Sequence, residues 1–317
     1  MTPARLRNFP VSWFAMVMGL SGFSIAWRLA ESALDFPALS SYLCVLSGAV
    51  FLLLAVAYAL KFLRYRDAAV AEFRHPVKMS FVATFSVALV LLAAALLDVA
   101  PALSRYIWVF GASIHFLITL YVIATWLSAS TFQIQHMNPA WFIPVVGNII
   151  VPIAGVHHAS AEISWFFFSV GVVFRLVLMT IIFYRVIFHD PLPGKLLPTL
   201  FILIAPPAIG FVAYVALVGQ LDVFGRILYY VGLFLTLLLL TQIHRFARLP
   251  FALSWWAYSF PMAAITSATV RMYQLTSLTG FAVIAYILLV LLTVVIAFLF
   301  ARTAVAVARQ EICVEDN

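Results

Sequence analysis

Between Val45 and Leu60 the chain carries no charged residue, and stretches like this recur along its whole length. Ten can be marked in chain order, at 11–30, 40–63, 77–98, 101–127, 141–158, 162–188, 195–218, 222–246, 253–275 and 278–306. They are called runs 1 to 10 below. About 20 apolar residues are what an α-helix needs to cross a ~30 Å hydrocarbon layer. No water is present there, so every backbone N–H and C=O must be paired within the structure, which only helices and closed barrels achieve. Barrel strands would alternate apolar and polar residues over ~10-residue segments, and these runs do not. Composition agrees: 66% of residues are hydrophobic and 9% charged, with a mean hydropathy of +1.13. An ordinary soluble domain is about 25% charged. A soluble enzyme, a nucleic-acid binder and a disordered chain are therefore excluded. The expected fold is all-α and integral to the membrane, one domain over residues 1–317 with ten transmembrane helices and short tails at 1–10 and 307–317. Arg5 and Arg7 before an apolar run imitate a signal peptide, but Val11–Ala30 is too long for its apolar region.

Basic residues orient such a chain, because they accumulate on the cytoplasmic side. Thirteen of the 18 Lys and Arg residues fall at the N-terminus, after even runs or at the C-terminus. Four, Arg28, Arg105, Arg226 and Arg271, fall on the opposite side, and Arg175 sits in mid-run. Both termini are expected to be cytoplasmic, which requires an even number of crossings.

A proline opens or precedes each odd run: Pro10, Pro76, Pro139, Pro198 and Pro250, at intervals of 66, 63, 59 and 52 residues. Proline commonly starts helices, since the first turn needs no N–H. Five at near-regular spacing on one side indicate repetition, one helical hairpin per interval. The odd runs also carry small or helix-breaking residues halfway along. Run 1 has Gly19 and Gly22, run 5 has Pro144, Gly147, Asn148 and Pro152, run 7 has Pro206, Pro207 and Gly210, and run 9 has Pro261. Small residues permit close packing, but packing alone does not explain their confinement to alternate runs. Backbone freed by a mid-membrane proline is tolerated where protein or a wet cavity satisfies it. The expectation is a pseudo-five-fold arrangement, with odd helices lining a central pore and even helices outside. Five helices at ~9 Å spacing leave a hole of roughly 2.5 Å radius, a scale suited to a small, largely dehydrated ion. Gly19, Phe85, Asn148 and Pro207 stand nine residues after their prolines and Phe260 ten, so all five are expected in one layer near the midplane.

All eleven acidic residues lie at run ends or in loops. Cation channels and proton-coupled pumps use carboxylates inside the membrane, so an uncharged inner ring with a basic surround fits an anion better. His115 is the only histidine near the centre of a run, whereas a haem or metal site needs at least two ligands at matching depth. Cys44 and Cys313 make no disulfide framework. No nucleophile stands with a base and an orienting group. Neither a metal nor a cofactor is expected, and no catalytic residue. Arg175 has no carboxylate at its depth, and His115 in run 4 lies at a similar depth, so the two are expected as an intramembrane polar pair unless Arg175 snorkels to an interface.

Several strings carry a resemblance: His75-Pro76-Val77, Trp141–Asn148 (WFIPVVGN), Ala205-Pro206-Pro207 and Trp255–Phe260 (WWAYSF). In this order they resemble the tellurite-resistance/dicarboxylate-transporter family, which includes bacterial TehA-type proteins and the plant guard-cell slow anion channels. The resemblance implies ten helices as five hairpins, a homotrimer with one pore per subunit, and permeation of small monovalent anions such as chloride and nitrate. It also implies a bacterial inner membrane, with the lipid bilayer and anions as partners and no nucleic acid. A phenylalanine on the ninth helix plugs the pore in that family, and the matching position here is Phe260. Without the resemblance, Phe260 would read as one of 29 phenylalanines packed between helices. The pore-lining candidates are Gly19, Gly22, Phe85, Ser86, Pro144, Gly147, Asn148, Pro206, Pro207, Gly210 and Pro261. Departures from the family pattern are Ala15 for a common glycine, Ser86 for a frequent proline, Pro261 for glycine, and Met179-Thr180 for Glu-Pro. The alternative function is a secondary carrier exporting C4-dicarboxylates or oxyanions such as tellurite.

Overall fold

The computed structural model describes residues 3–313. All ten runs are helical, and among the described residues there is no β-strand. Eight helical stretches are long and apolar enough to cross a membrane: Val11–Leu34, Ser40–Arg64, Pro101–Ser128, Pro139–His158, Ala161–Phe188, Gly194–Val218, Val223–Leu240 and Thr279–Ala308. The count reaches nine if Arg66–Arg74 and Met79–Ala95, bent by 102° at their junction, form one crossing. Run 9 becomes Leu253–Tyr258 followed by Ser259–Thr276. Its serines, threonines, Arg271 and Gln274 leave it less apolar than the others.

Packing separates the odd runs from the even ones. Run 1 packs on run 3, run 3 on run 5, run 5 on run 7, run 7 on run 9, and run 9 returns to run 1. Each even run touches the odd run before it and the odd run after it, and run 10 touches runs 9 and 1. Between 72% and 94% of the most apolar windows of runs 1, 5 and 7 is buried, against 17% to 39% for the even runs. The even helices instead expose large apolar side chains such as Leu53, Leu103, Val173, Phe234 and Ile287. A lipid chain is as apolar as a leucine side chain, so such faces need no protein cover.

The odd runs are not uniform α-helices. Runs 1, 7 and 9 begin as 3-10 helix, at Val11–Trp13, Gly194–Ile204 and Leu253–Tyr258, and continue as α-helix from Phe14, Ala205 and Ser259. Run 5 alternates: Pro139–Trp141 is 3-10, Phe142–Val146 α, Gly147–Ile150 3-10 and Pro152–His158 α. Prolines stand at several of these changes. Pro206, Pro207 and Pro261 fall in first turns, where the missing N–H is not needed. Pro152 has no N–H to give Asn148, whose carbonyl accepts instead from Val151 N at 3.2 Å. Pro198 lies inside its 3-10 element, four residues from the start. A 3-10 helix rises about 2.0 Å per residue against 1.5 Å for α, so counting residues from each proline does not give a common depth.

The longest polar stretch, 64–75, holds a helix of its own, Arg66–Arg74. Lys61 at the end of run 2 is buried, and its Nζ lies 2.5 Å from Glu72 Oε1 and donates to Phe9 O at 2.9 Å. Glu72 Oε2 accepts from Val11 N at 3.2 Å and from the Tyr58 hydroxyl at 3.0 Å. Arg7 and Asp67 pair at 2.9 Å. Residues 3–9 are therefore held against the bundle: Pro3–Arg7 is helical, and Leu6 and Phe9 are buried. The last four residues of the 307–317 tail lie outside the described residues.

Candidate functional site

A cavity of about 70 Å³, partly open to the outside, lies among the odd runs. Run 1 lines it with Ser12, Ala15 and Met18, and run 3 with Phe81 and Val87. Run 5 presents Ile143, Val146, Gly147 and Ile150, run 7 Ala205, Pro206 and Ile209, and run 9 Ser254, Ala257, Phe260 and Pro261. Among the described residues no charged side chain lines the wall, and the hydroxyls there belong to Ser12 and Ser254. The lining positions come from the first part and the middle of each run, so the cavity belongs to the end where the odd helices begin.

Phe260 stands among the innermost lining positions of run 9 and is 7% exposed. Its ring lies against Gly22, where a Cβ would come within 3.1 Å of the ring's Cδ2. One turn earlier, a Cβ on Gly19 would sit 2.1 Å from Ser259 Oγ. That hydroxyl is held in place, since it donates to Trp256 O at 2.6 Å. The two glycines thus form a flat strip on run 1 into which run 9 settles, the close approach that small residues allow. Pro261, in the first turn of Ser259–Thr276, gives up no hydrogen bond there.

Of the other residues singled out, Gly147 and Pro206 line the cavity, while Gly19 and Gly22 carry the seam between runs 1 and 9. The rest turn away from it. The Phe85 ring packs on Phe14 and Phe51, with centroids 5.0 and 5.8 Å apart, toward runs 1 and 2. A Cβ on Gly210 would touch Ile149 and Leu228, and Pro207 is buried outside the lining. Ser86 and Asn148 join a polar cluster with run 4. Ser86 Oγ lies 2.9 Å from His115 Nδ1, and Asn148 Nδ2 donates to Thr119 Oγ1 at 2.9 Å and to Val145 O at 2.7 Å. The Thr119 hydroxyl lies 2.7 Å from Pro144 O, a carbonyl in the irregular helix of run 5. Gly147 admits this cluster, because a Cβ there would stand 2.8 Å from His115 Nε2 and Cε1.

His115 and Arg175 are not joined by a hydrogen bond. His115 Nε2 has no partner, and Arg175 Nε and Nη1 have none either. His115 instead faces runs 3 and 5, through Ser86, Val87 and Gly147. Arg175 is nevertheless buried, at 7% exposure. Among the described residues no group of three or more His, Cys, Asp or Glu side chains is placed to hold a metal ion. Two features escaped the sequence reading. Thr119 stands four residues after His115 and hence on the same helix face, a spacing that could have exposed it. The Lys61–Glu72 pair had no such signal, since the bend after run 2 sets it.

Comparison with known proteins gives a consistent result. The family profile described as SLAC1, voltage-dependent anion channel, matches residues 8–304. An uncharacterized transporter of Methanocaldococcus jannaschii is 31% identical over 89% of this chain and 89% of its own length. The S-type anion channel SLAH3 of Arabidopsis thaliana is 28% identical over 95% of this chain and 48% of its own length. The tellurite resistance protein TehA homolog of Haemophilus influenzae is 24% identical over 90% of each.

Proposed function

The chain belongs to the SLAC1 family of voltage-dependent anion channels, and from that premise we propose that it is a passive channel for small monovalent anions, chloride and nitrate, plugged by Phe260. One observation carries the reading: five odd runs that pack in a closed cycle surround one cavity, and an aromatic ring stands at its inner limit. In this reading Met79–Ala95 and Ser259–Thr276 complete ten crossings. The five hairpins stand in pseudo-five-fold order, and the cavity is the cytoplasmic vestibule of the pore. Both termini are cytoplasmic, in keeping with the basic residues that gather at that end. The wall suits an anion that sheds its water easily, for it holds neither a carboxylate that would attract cations nor a dense set of ligands that would retain the ion. A benzyl group across a gap of a few ångströms blocks by sterics and by dewetting. Assembly as a homotrimer with one pore per subunit belongs to the same proposal, and native mass measurement of the purified protein tests it.

Phe260→Ala removes the proposed plug and leaves the other lining residues in place. Chloride and nitrate conductance in planar bilayers should rise at least tenfold with assembly unchanged, and equal conductance in mutant and parent refutes the gate. The carrier reading draws support from the tellurite resistance relative and from a cavity open on one side, as alternating access needs. It requires saturable flux in the mutant, whereas a pore passes current without saturating in the same range.

A further inference from the structure

We propose that the Arg175 guanidinium is a fixed, uncompensated positive charge behind the cavity wall that sets the preference for anions over cations. The inference rests on the channel reading above. Buried residues of Ala161–Phe188 step along one face as Ser164, Phe167, Gly171, Arg175, Leu178 and Ile182. That face packs on run 5: a Cβ on Gly171 would stand 2.4 Å from Ile149 Cγ1 and 2.8 Å from Ile149 N. The same helix also touches Phe142–Val146 and Ala205–Val218. Arg175 lies one turn from Gly171 on this face, about 6 Å along the axis, so it faces run 5 from behind. The opposite face of run 5 is cavity wall, through Ile143, Val146 and Gly147. One helix, ~10 Å thick with its side chains, separates the guanidinium from the ion path.

Nothing among the described residues neutralises it. Arg175 Nε and Nη1 are buried without a partner. Arg185, nearly three turns on and also buried, differs: its Nε donates to Ile134 O at 3.0 Å and its Nη1 to Asp190 O. Every carboxylate among the described residues lies toward a helix end or in a loop. Arginine does not shed its proton in proteins, and mobile counter-ions do not enter hydrocarbon. A side chain some thirteen residues from either helix end is ~20 Å from both surfaces, beyond reach by snorkelling. At the effective dielectric of a protein, a unit charge ~10 Å away changes the local concentration of a monovalent ion by about tenfold, raising anions and lowering cations.

The test uses full-length protein carrying Phe260→Ala, in planar bilayers under a potassium chloride gradient, with the reversal potential giving the chloride-to-potassium permeability ratio. Arg175→Gln should lower that ratio at least tenfold, and Arg175→Lys, which keeps the charge, should preserve it. If Arg175→Gln does not assemble, Arg175→Met makes the same comparison. An unchanged ratio in the neutral variant overturns the inference, and so does an equal loss in the folded Lys variant, which would mark a packing role. A Phe260→Ala parent that passes no chloride refutes the channel reading itself, a result separate from either outcome at Arg175.

Discussion

Gly19 shows how much a missing methyl group decides in this fold. Ser259 Oγ occupies the place of its Cβ and is held by the Trp256 carbonyl, so a Gly19→Ala methyl cannot be met by rotating the serine. Run 9 would have to move. Overpacking of a tight contact costs about 1–3 kcal/mol, and the thermal midpoint of the purified protein should fall accordingly. Gly48→Ala is the control, since nothing lies within 4 Å of a Cβ there, and it should leave the midpoint unchanged or slightly raised. A second residue-scale expectation concerns Glu72. Its carboxylate accepts from Lys61, Val11 N and Tyr58 at once, and Lys61 is shut off from solvent. Removing one partner of a buried pair leaves an uncompensated charge and costs about 3–5 kcal/mol. Glu72→Gln should therefore unfold far more readily in a denaturation series than Asp67→Asn, which breaks only the exposed pair with Arg7. The glycines were legible as small residues in a special run, but their partners were not. Which side chain fills the place of an absent Cβ depends on which runs become neighbours.

At the scale of elements, the prolines of the odd runs were read correctly as interruptions, while the form of the interruption was not. A sequence shows that Pro206 and Pro207 cannot donate. It does not show that the preceding eleven residues wind as 3-10 helix, because that choice depends on packing against runs 5 and 9. The same limit applies to Phe85, which counting placed in a layer with Phe260. Its ring packs on Phe14 and Phe51, and run 3 starts at a sharp bend rather than with a 3-10 stretch. The start of run 8 was plainer. Asp222 caps Val223–Leu240, accepting from Gly225 N at 2.9 Å and from the Tyr214 hydroxyl at 2.5 Å. The Gly225 N–H, followed by the Tyr214 hydroxyl, holds the Asp222 carboxyl below its ordinary range. A carboxyl whose folded pKa is depressed contributes stability that is fully present above its unfolded value of about 4. That stability is lost as pH falls through the lower, folded value. The difference in thermal midpoint between parent and Asp222→Asn should therefore be constant near neutrality and shrink below about pH 4. A constant difference down to the acid limit would mean that the cap does not depend on the charge.

For the molecule as a whole, hydropathy made the all-helical membrane class legible, and the proline spacing marked where the odd runs begin. The order of the odd helices around a cycle could only be guessed, since it depends on contacts between residues as far apart in sequence as Gly19 and Ser259. The proposed orientation rests on charge. The end of the molecule where the odd helices begin carries Arg64, Arg66 and Arg74 beside Arg5 and Arg7, and basic residues remain on the cytoplasmic side. The cavity opens among the first turns of those helices, so the reading places its mouth in the cytoplasm and the loop after run 7 outside. Ala71 is exposed on the helix Arg66–Arg74, and Gln220 is exposed in the opposite loop. Cysteines placed at these two positions report the two sides, in a background with Cys44 and Cys313 replaced by serine. A membrane-impermeant maleimide applied to intact cells should label Gln220→Cys and leave Ala71→Cys untouched, and inverted vesicles should reverse the pattern. Labelling of both positions from one side would require an even number of crossings between them, instead of the five of runs 3 to 7, and would break the ten-helix topology. The converse pattern, with Ala71→Cys labelled from outside, would keep the topology but turn the vestibule to the exterior. Phe260 would then face anions entering the cell rather than leaving it.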